Sequence, residues 1–388
     1  MMQRLIEVAT SLKLTVVCLS LGVILVFVGT LAQVNEGLYL AQERYFRSFF
    51  IWWGPSTAGW KIPLFPGGYL VGTVLLTNLL AAHFKRFKLG MSKLGIHLTH
   101  VGVILLLVGQ LTTDMFSVES HLRFSEGETK NFSESHLENE LALVRPNPES
   151  GKDKVIVIPE SLLIPGETIE HEALPFSIKV KEHHVNASLR NRAPMVDKGD
   201  PPATQGLGPR ITVVPQPETY SMDERNMPTA VLEFLGPEGS LGTWLVSTWL
   251  TDPQPVTVGG NTWDVALRWK RIYTPFSIQL LKTTHEVYRG TTTPKNFQSR
   301  VRIENPQTGE NREVDIYMNN PLRYAGLTYF QYQMGRDQRN EAIGSSTLQV
   351  VRNPTWLTPY LACILVGLGL LVQFSMHLMK FITKRKPA

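Results

Sequence analysis

The sequence predicts a membrane protein with four transmembrane α-helices and a large β-rich extracytoplasmic domain, sandwich or open-barrel-like, between helices 3 and 4. Three observations lead there. Four apolar runs stand out, at 14–32, 69–82, 94–113 and 356–376. Between the last two lie about 240 residues with no comparable run and with repeated apolar–polar alternation. The basic residues gather in three short segments that fall on one side of a bilayer if every run crosses it.

Those segments are 1–13, 84–93 and 378–388. Together they hold Arg4, Lys13, Lys85, Arg86, Lys88, Lys93, Lys380, Lys384, Arg385 and Lys386 against one acid, Glu7. The chain's net charge of +5 is therefore a topology signal. It places both termini in the cytoplasm and the large domain outside, and it argues against a nucleic-acid partner.

Taken in order, residues 1–33 form a cytoplasmic N-terminus and the first span, read as an uncleaved signal anchor because no clear small-residue cleavage site follows it. Residues 34–66 form an extracytoplasmic loop. Its aromatics from Leu38 to Trp53 suit a helix lying in the interface, with Glu43, Arg44 and Arg47 toward water. Residues 67–113 form a hairpin of spans 2 and 3 around the basic cytoplasmic turn 84–93. Span 2 is short unless 65–68 and 83–84 join it.

Span 3 carries no Asp, Glu, Lys or Arg from Leu94 to Thr113, and its twenty residues rise about 30 Å as a helix. Gly95, Gly102 and Gly109 recur every seven residues, so each lies within about 20° of the next and they form a packing stripe. His97 and His100 lie on the opposite edge.

Residues 114–354 form the β domain. Alternation marks strands near 176–181, 210–214, 230–234, 243–250, 262–269 and 276–281. The turn-rich stretch Asn305-Pro-Gln-Thr-Gly-Glu-Asn marks a hairpin, and 186–205 reads as an exposed excursion. The last strand feeds span 4 closely, so the domain is expected near the membrane. Residues 355–388 form span 4 and a basic cytoplasmic tail, with Trp356 and Tyr360 at the outer interface.

The two cysteines, Cys18 and Cys363, both lie in expected spans, so the outer domain has no disulfide framework and the chain has no Cys-x-x-Cys-His attachment site. No structural metal is expected. No phosphate loop, Ser/His/Asp set or metal-ligand spacing appears in the outer domain. There His183-His184 read as solvated, because neighbours on a strand point to opposite faces, and His121, His136, His171 and His285 read as isolated.

Ionisable groups within a span mark ligands, cofactors or proton paths. Four histidines lie in or beside spans, His83, His97, His100 and His377, all toward the cytoplasmic ends. His100 is the deepest, roughly 9 Å into the apolar layer. It is expected to be neutral and to need a partner, and imidazole is a common axial ligand of haem iron. His83, His97 and His377 are weaker candidates, each more readily read as an interfacial group that meets headgroup water.

The chain resembles the ResB (CcsB) family of cytochrome c biogenesis proteins. The resemblance rests on Ser11-Leu-Lys-Leu-Thr before span 1, on His97-Leu-Thr-His100-Val-Gly in span 3, on Asn320-Pro-Leu-Arg-Tyr-Ala-Gly-Leu-Thr-Tyr-Phe-Gln331, and on Leu348-Gln-Val-Val-Arg-Asn-Pro before span 4. It covers the layout of the whole chain, while 130–260 matches nothing nameable. It implies a protein of the inner (cytoplasmic) membrane that handles haem b transiently and non-covalently, with a CcsA (ResC)-type partner carrying a Trp-rich haem-binding segment. Together the two would bring haem to the outer face and present it to apocytochrome c, this chain being a non-catalytic half of a haem lyase. It assigns His100 as an axial ligand, by its spacing to Gly109. Two other readings remain open: a cytochrome b-type electron-transfer subunit, and a structural or assembly subunit without haem.

Overall fold

The structure, a computed structural model, describes residues 2–54, 60–86, 90–146, 153–193, 196–219, 225–291, 294–337, 340 and 342–385. It divides into two units. One is made mainly of the chain's two ends, Met1–Ser117 and Asn353–Ala388; the other holds Val118–Thr219 and Arg225–Arg352.

The helices of the first unit are α1 (Met2–Ala9), α2 (Leu12–Glu36), α3 (Leu38–Ala41), α4 (Gly68–Arg86), α5 (Leu94–Phe116) and α6 (Thr358–Arg385). Among the described residues three are long and apolar enough to cross a membrane: α2, α5, and α6 through Thr383. The second expected span does fold as a helix, but α4 is not among those three. Its 19 residues include Asn78, His83, Lys85 and Arg86, which lower its apolar character. Asn78 is buried in the unit, and its amide is fully used. It donates to the carbonyls of Ala9 (2.8 Å) and Ser11 (3.1 Å) and accepts from the Thr15 hydroxyl (2.6 Å). A buried side-chain amide is stable only when bonded in this way, and these bonds fix α4 to the break between α1 and α2.

The aromatic loop departs from expectation. The single interfacial helix over 38–53 is replaced by α3, a wide helical turn at Gln42–Phe46, and a hairpin of β1 (Phe50–Trp53) with β2 (Ile62–Pro66). Phe50-Ile-Trp-Trp suits a pleated strand better than a helix. Pro63 and Pro66 are tolerated because β2 is an edge strand, with no second partner for its N–H groups.

The glycine stripe of α5 behaves as expected. Gly95, Gly102 and Gly109 are all buried. A Cβ on Gly95 would lie 2.7 Å from the Gly369 carbonyl oxygen, and one on Gly102 would lie 2.9 Å from that of Ala362. The contacts run from Gly95 with Gly369 and Gln373 to Gly109 with Thr358, so α5 and α6 are antiparallel. The start of α5 and the end of α6 therefore share one end of the unit.

The second unit holds β3 (Val118–Ser125), β4 (Thr129–Arg145), β5 (Lys154–Pro159), β6 (Thr168–Ile169), β7 (Ser177–His184), β8 (Ala187–Asn191), β9 (Ile211–Pro215), β10 (Thr229–Gly236), β11 (Gly239–Ser247), β12 (Gln254–Val258), β13 (Asn261–Val287), β14 (Pro294–Asn305), β15 (Glu310–Tyr317), β16 (Leu322–Tyr324), β17 (Leu327–Arg336) and β18 (Gly344–Arg352). A ten-stranded antiparallel sheet runs β15-β14-β13-β4-β3-β18-β17-β16, with β12 beside β13 and β5 beside β4. A four-stranded sheet runs β11-β10-β7-β6, and β8 pairs with β9. The expected excursion at 186–205 is thus partly ordered as β8, with Ala203 fully buried.

One long strand explains how sandwich and barrel features coexist. The first half of β13 places Trp263, Val265 and Leu267 in a core shared with the four-stranded sheet. Its second half places Phe276, Ile278 and Leu280 in another core, enclosed with Leu122, Val301 and Leu348. Register shifts at Trp269/Arg271 and Tyr273/Ile278 separate the halves, as bulges do where a sheet bends. The Asn305 hairpin forms as expected, Asn305 pairing with Glu310.

Candidate functional site

In the helical unit, three of the four candidate histidines converge. His97 and His100 stand three residues apart on α5 and so share a face; His83 comes from α4. The His83 ring lies 5.2 Å from His97 and 5.9 Å from His100, centroid to centroid. All three are half-buried. The α5–α6 glycine seam turns the opposite edge of α5 toward this cluster.

His377 does not join in the same way. It is exposed on α6, and its Nε2 lies 2.9 Å from the Gln373 side-chain nitrogen one turn earlier. Of the basic residues expected at this end, the Lys85 ammonium donates to the Thr10 hydroxyl at 3.1 Å. Lys88 lies outside the described residues.

The other end of the unit holds an acid one residue beyond the apolar run 94–113. Asp114, in the last turn of α5, accepts from Arg47 Nε at 2.8 Å and from the Tyr69 hydroxyl. Arg47 also donates to Glu43 at 2.9 Å. These two carboxylates hold the Arg47 guanidinium more firmly protonated than usual. A carboxylate at a helix C-terminus opposes the helix dipole, and Arg47 offsets this.

A second cluster, not legible from spacing, forms in the β unit. His121 of β3 lies opposite Glu134 of β4, and His136 follows two residues on, on the same face. The His121 and His136 rings are 5.3 Å apart, and the Tyr332 ring of β17 is 4.9 Å from His121. Arg225 brings its Nη2 within 2.6 Å of His136 Nδ1, and its guanidinium lies 4.8 Å over the Trp269 ring. His121 is only 8% exposed, and its Nδ1 is buried with no hydrogen-bond partner among the described residues.

Burial, with His136, Arg225 and Arg123 nearby, pushes the His121 imidazole down to about 4. Burial and the same two arginines lower His136. Arg225 itself, desolvated beside Arg123, falls to about 10. Both rings are thus neutral at pH 7 and lie in a positive field. His183, expected at a solvated surface, is mostly covered instead. Its Nε2 lies 3.0 Å from Glu160, whereas the nearest carboxylate to His184 is Glu182 at 3.6 Å.

Residues 257–344, from within β12 to the first residue of β18, match the family model described as ResB-like. A stretch of 108 residues is 31% identical to Protein NrfI of Wolinella succinogenes, covering 28% of this chain and 11% of that protein. The chain thus spans only a small part of the length of that relative. The family match covers Asn320–Gln331, Trp269 and Tyr332 but neither histidine cluster.

Proposed function

We propose that the chain is a ResB-like protein that acts in cytochrome c maturation, carrying haem from the cytoplasmic side and presenting it to apocytochrome c outside. In this reading α4 is a fourth span, paired with α5 in a hairpin. The chain sits in the inner membrane with both termini cytoplasmic and the β unit on the periplasmic side. It works with a CcsA-type membrane partner as the non-catalytic half of a haem lyase.

The observation that carries this reading is the convergence of His83, His97 and His100 from two helices. Haem b is the cargo, bound reversibly and without a covalent link. The donor set suits it. An imidazole in an apolar helix pair offers a nitrogen lone pair without burying a charge. His100 is the axial ligand in this proposal. His83, 5.9 Å away on α4, and His97 hold its ring in place and are secondary ligand candidates. His377 stands at the same end but exposed, as an entry-side group. With the glycine seam on the other edge, the partner packs against the histidine edge in this proposal and supplies the second ligand.

His100→Ala is the test. Loss of cytochrome c maturation, partly restored by added imidazole, together with loss of haem copurifying with the chain and its partner, supports the reading. Unchanged maturation overturns it in favour of a structural subunit. A stoichiometric redox-active haem held by the purified chain alone, lost in the variant, would instead identify an electron-transfer subunit.

A further inference from the structure

The β unit carries a second cluster of ligand-binding chemistry that the helical site does not use. On one face of the large sheet, neighbouring strands present Tyr332 (β17), His121 and Arg123 (β3), His136 (β4) and Trp269 (β13), with Arg225 laid across them. Alternation along β3 and β4 sets this face opposite the one that buries Leu122 and Ser135. Five strands at this spacing span roughly 19 Å.

Three properties of the face point to one kind of ligand. One of its flat groups is open to solvent: Tyr332 is 56% exposed and sits edge-on to the buried His121. Its cations are not paired directly with acids, although Glu134, opposite His121 and engaged with Arg271 at 3.5 Å, acts on Arg225 from nearby. Neither Arg123 nor Arg225 forms an ion pair with a carboxylate within 4 Å among the described residues, whereas Arg190, Arg268, Arg300 and Arg302 each do. Beneath them His121 Nδ1 is buried and unbonded. A buried polar nitrogen without a partner costs stability and calls for an explanation. Aromatic rings beside guanidiniums with no direct carboxylate pair match a planar apolar ligand with carboxylates at its edge.

We propose that this face docks a porphyrin dicarboxylate, its carboxylates on Arg123 and Arg225 and its ring against Tyr332 and Trp269. The choice of a porphyrin rests on the reading of the chain as a haem carrier. The contact requires no iron, and this separates it from the His100 site.

The experiment uses the full chain in detergent micelles with His100→Ala in the background and iron-free protoporphyrin IX as the probe, binding being read by quenching of protein fluorescence. The free acid binds, and its dimethyl ester binds at least about tenfold more weakly. Arg123→Gln and Arg225→Gln each weaken the free acid by about tenfold, as loss of a charge-assisted pair does, and Arg225→Lys restores part of the loss. Arg123 is exposed, so its variant tests the site without disturbing a core. Equal binding of acid and ester, or no effect of Arg123→Gln, overturns the proposal. So does protection of these arginines by an acidic apocytochrome peptide with no porphyrin binding, which would make the face a protein-docking surface. Haemin binding that persists unchanged in His100→Ala but falls in Arg123→Gln would sink the helical site and leave this one standing.

Discussion

Helices bring His83, His97 and His100 together, while strands bring His121 and His136 together, and the two routes leave different environments. On α5 the spacing of three residues puts two rings on one face before any tertiary contact forms. Only His83 has to arrive from elsewhere, by closure of the α4–α5 hairpin. In the β unit, His121 and His136 meet through the pairing of β3 with β4, and the surroundings of His121 are completed by β17 and by Arg225, both distant in sequence. The helical rings sit in apolar surroundings suited to a neutral ligand. The strand rings sit among arginines and are held neutral by burial first and by the positive field around them second. We read the first arrangement as the proposed haem site and the second as suited to an anion.

If the strand cluster depends on long-range pairing, damage to the opposite face of β18 should reach it. Leu348 is fully buried and pairs with Leu122, one residue along from the Gln349–His121 pair. Leu348→Ala should cost about 2–5 kcal/mol through lost burial and the cavity left behind. Denaturant unfolding followed by β-sheet circular dichroism measures this cost. A cost under about 1 kcal/mol would show that the site relaxes freely and would remove the argument that β18 holds β3 rigidly.

The helical cluster has its counterpart in the glycine seam. A side chain at Gly102 would meet Val366 and the Ala362 carbonyl oxygen, whereas one at Gly72 of α4 meets nothing within 4 Å. Gly102→Leu should cost about 1–3 kcal/mol by overpacking, with lower thermal stability in micelles and weaker haem retention. Gly72→Leu serves as the control and should change neither. Equal behaviour of the two variants would mean that the seam does not set the orientation of α5.

How much of this was readable in the sequence follows the same division. Periodicity over one turn or one heptad exposed the apolar helices, the glycine stripe and the face shared by His97 and His100, because those relations are local. The hairpin at Asn305 was also legible, from its turn residues. The approach of the His121 ring to that of His136 was not. A tight turn on Glu126-Gly127, closed by the Glu128 N–H to the Ser125 carbonyl, would continue a plain ladder with Phe132 opposite His121. The structure puts Glu134 there instead, a two-residue shift that brings His136 into reach. Nothing in single-strand alternation reports that shift, because it preserves which face each side chain takes. Arg225 was equally hidden, since it arrives from a turn-rich stretch with no periodicity. The aromatic run at 50–53 misled for a related reason: an apolar segment of four residues is compatible with helix or strand, and its partner β2 decided the outcome.

The neutral state of the strand cluster predicts a pH dependence. His121 titrates near 4 in the folded chain and near 6.5 when exposed. Between those values the unfolded chain binds a proton that the folded chain does not, so folding stability falls as pH drops from 6.5 toward 4 and levels off below that as far as this group is concerned. The groups around it, Arg123, Arg225, His136, Glu134 and Tyr332, are shared with a His121→Phe variant. Its slope in that window should therefore be shallower, while its stability at pH 7 stays close to that of the parent, because an apolar ring replaces an unbonded polar one. Unfolding midpoints at several pH values measure the difference, and identical slopes would mean that His121 is not the group responsible.

The smallest expected effect separates two adjacent histidines on one strand. His183 Nε2 lies 3.0 Å from the Glu160 carboxylate, which also accepts from the Asn139 amide, and its side chain is 13% exposed. His184 turns the other way and lies 3.6 Å from Glu182, a carboxylate that is itself largely in water. His183→Ala removes one bond from a mostly buried carboxylate and should cost about 1 kcal/mol. His184→Ala should stay within about 0.5 kcal/mol, as surface substitutions usually do. Because the two residues share a strand and a residue type, any difference in their unfolding midpoints comes from face alone. If the values coincide, alternation across β7 does not govern what a histidine contributes there, and the same inference for His121 and His136 on their strands loses its footing.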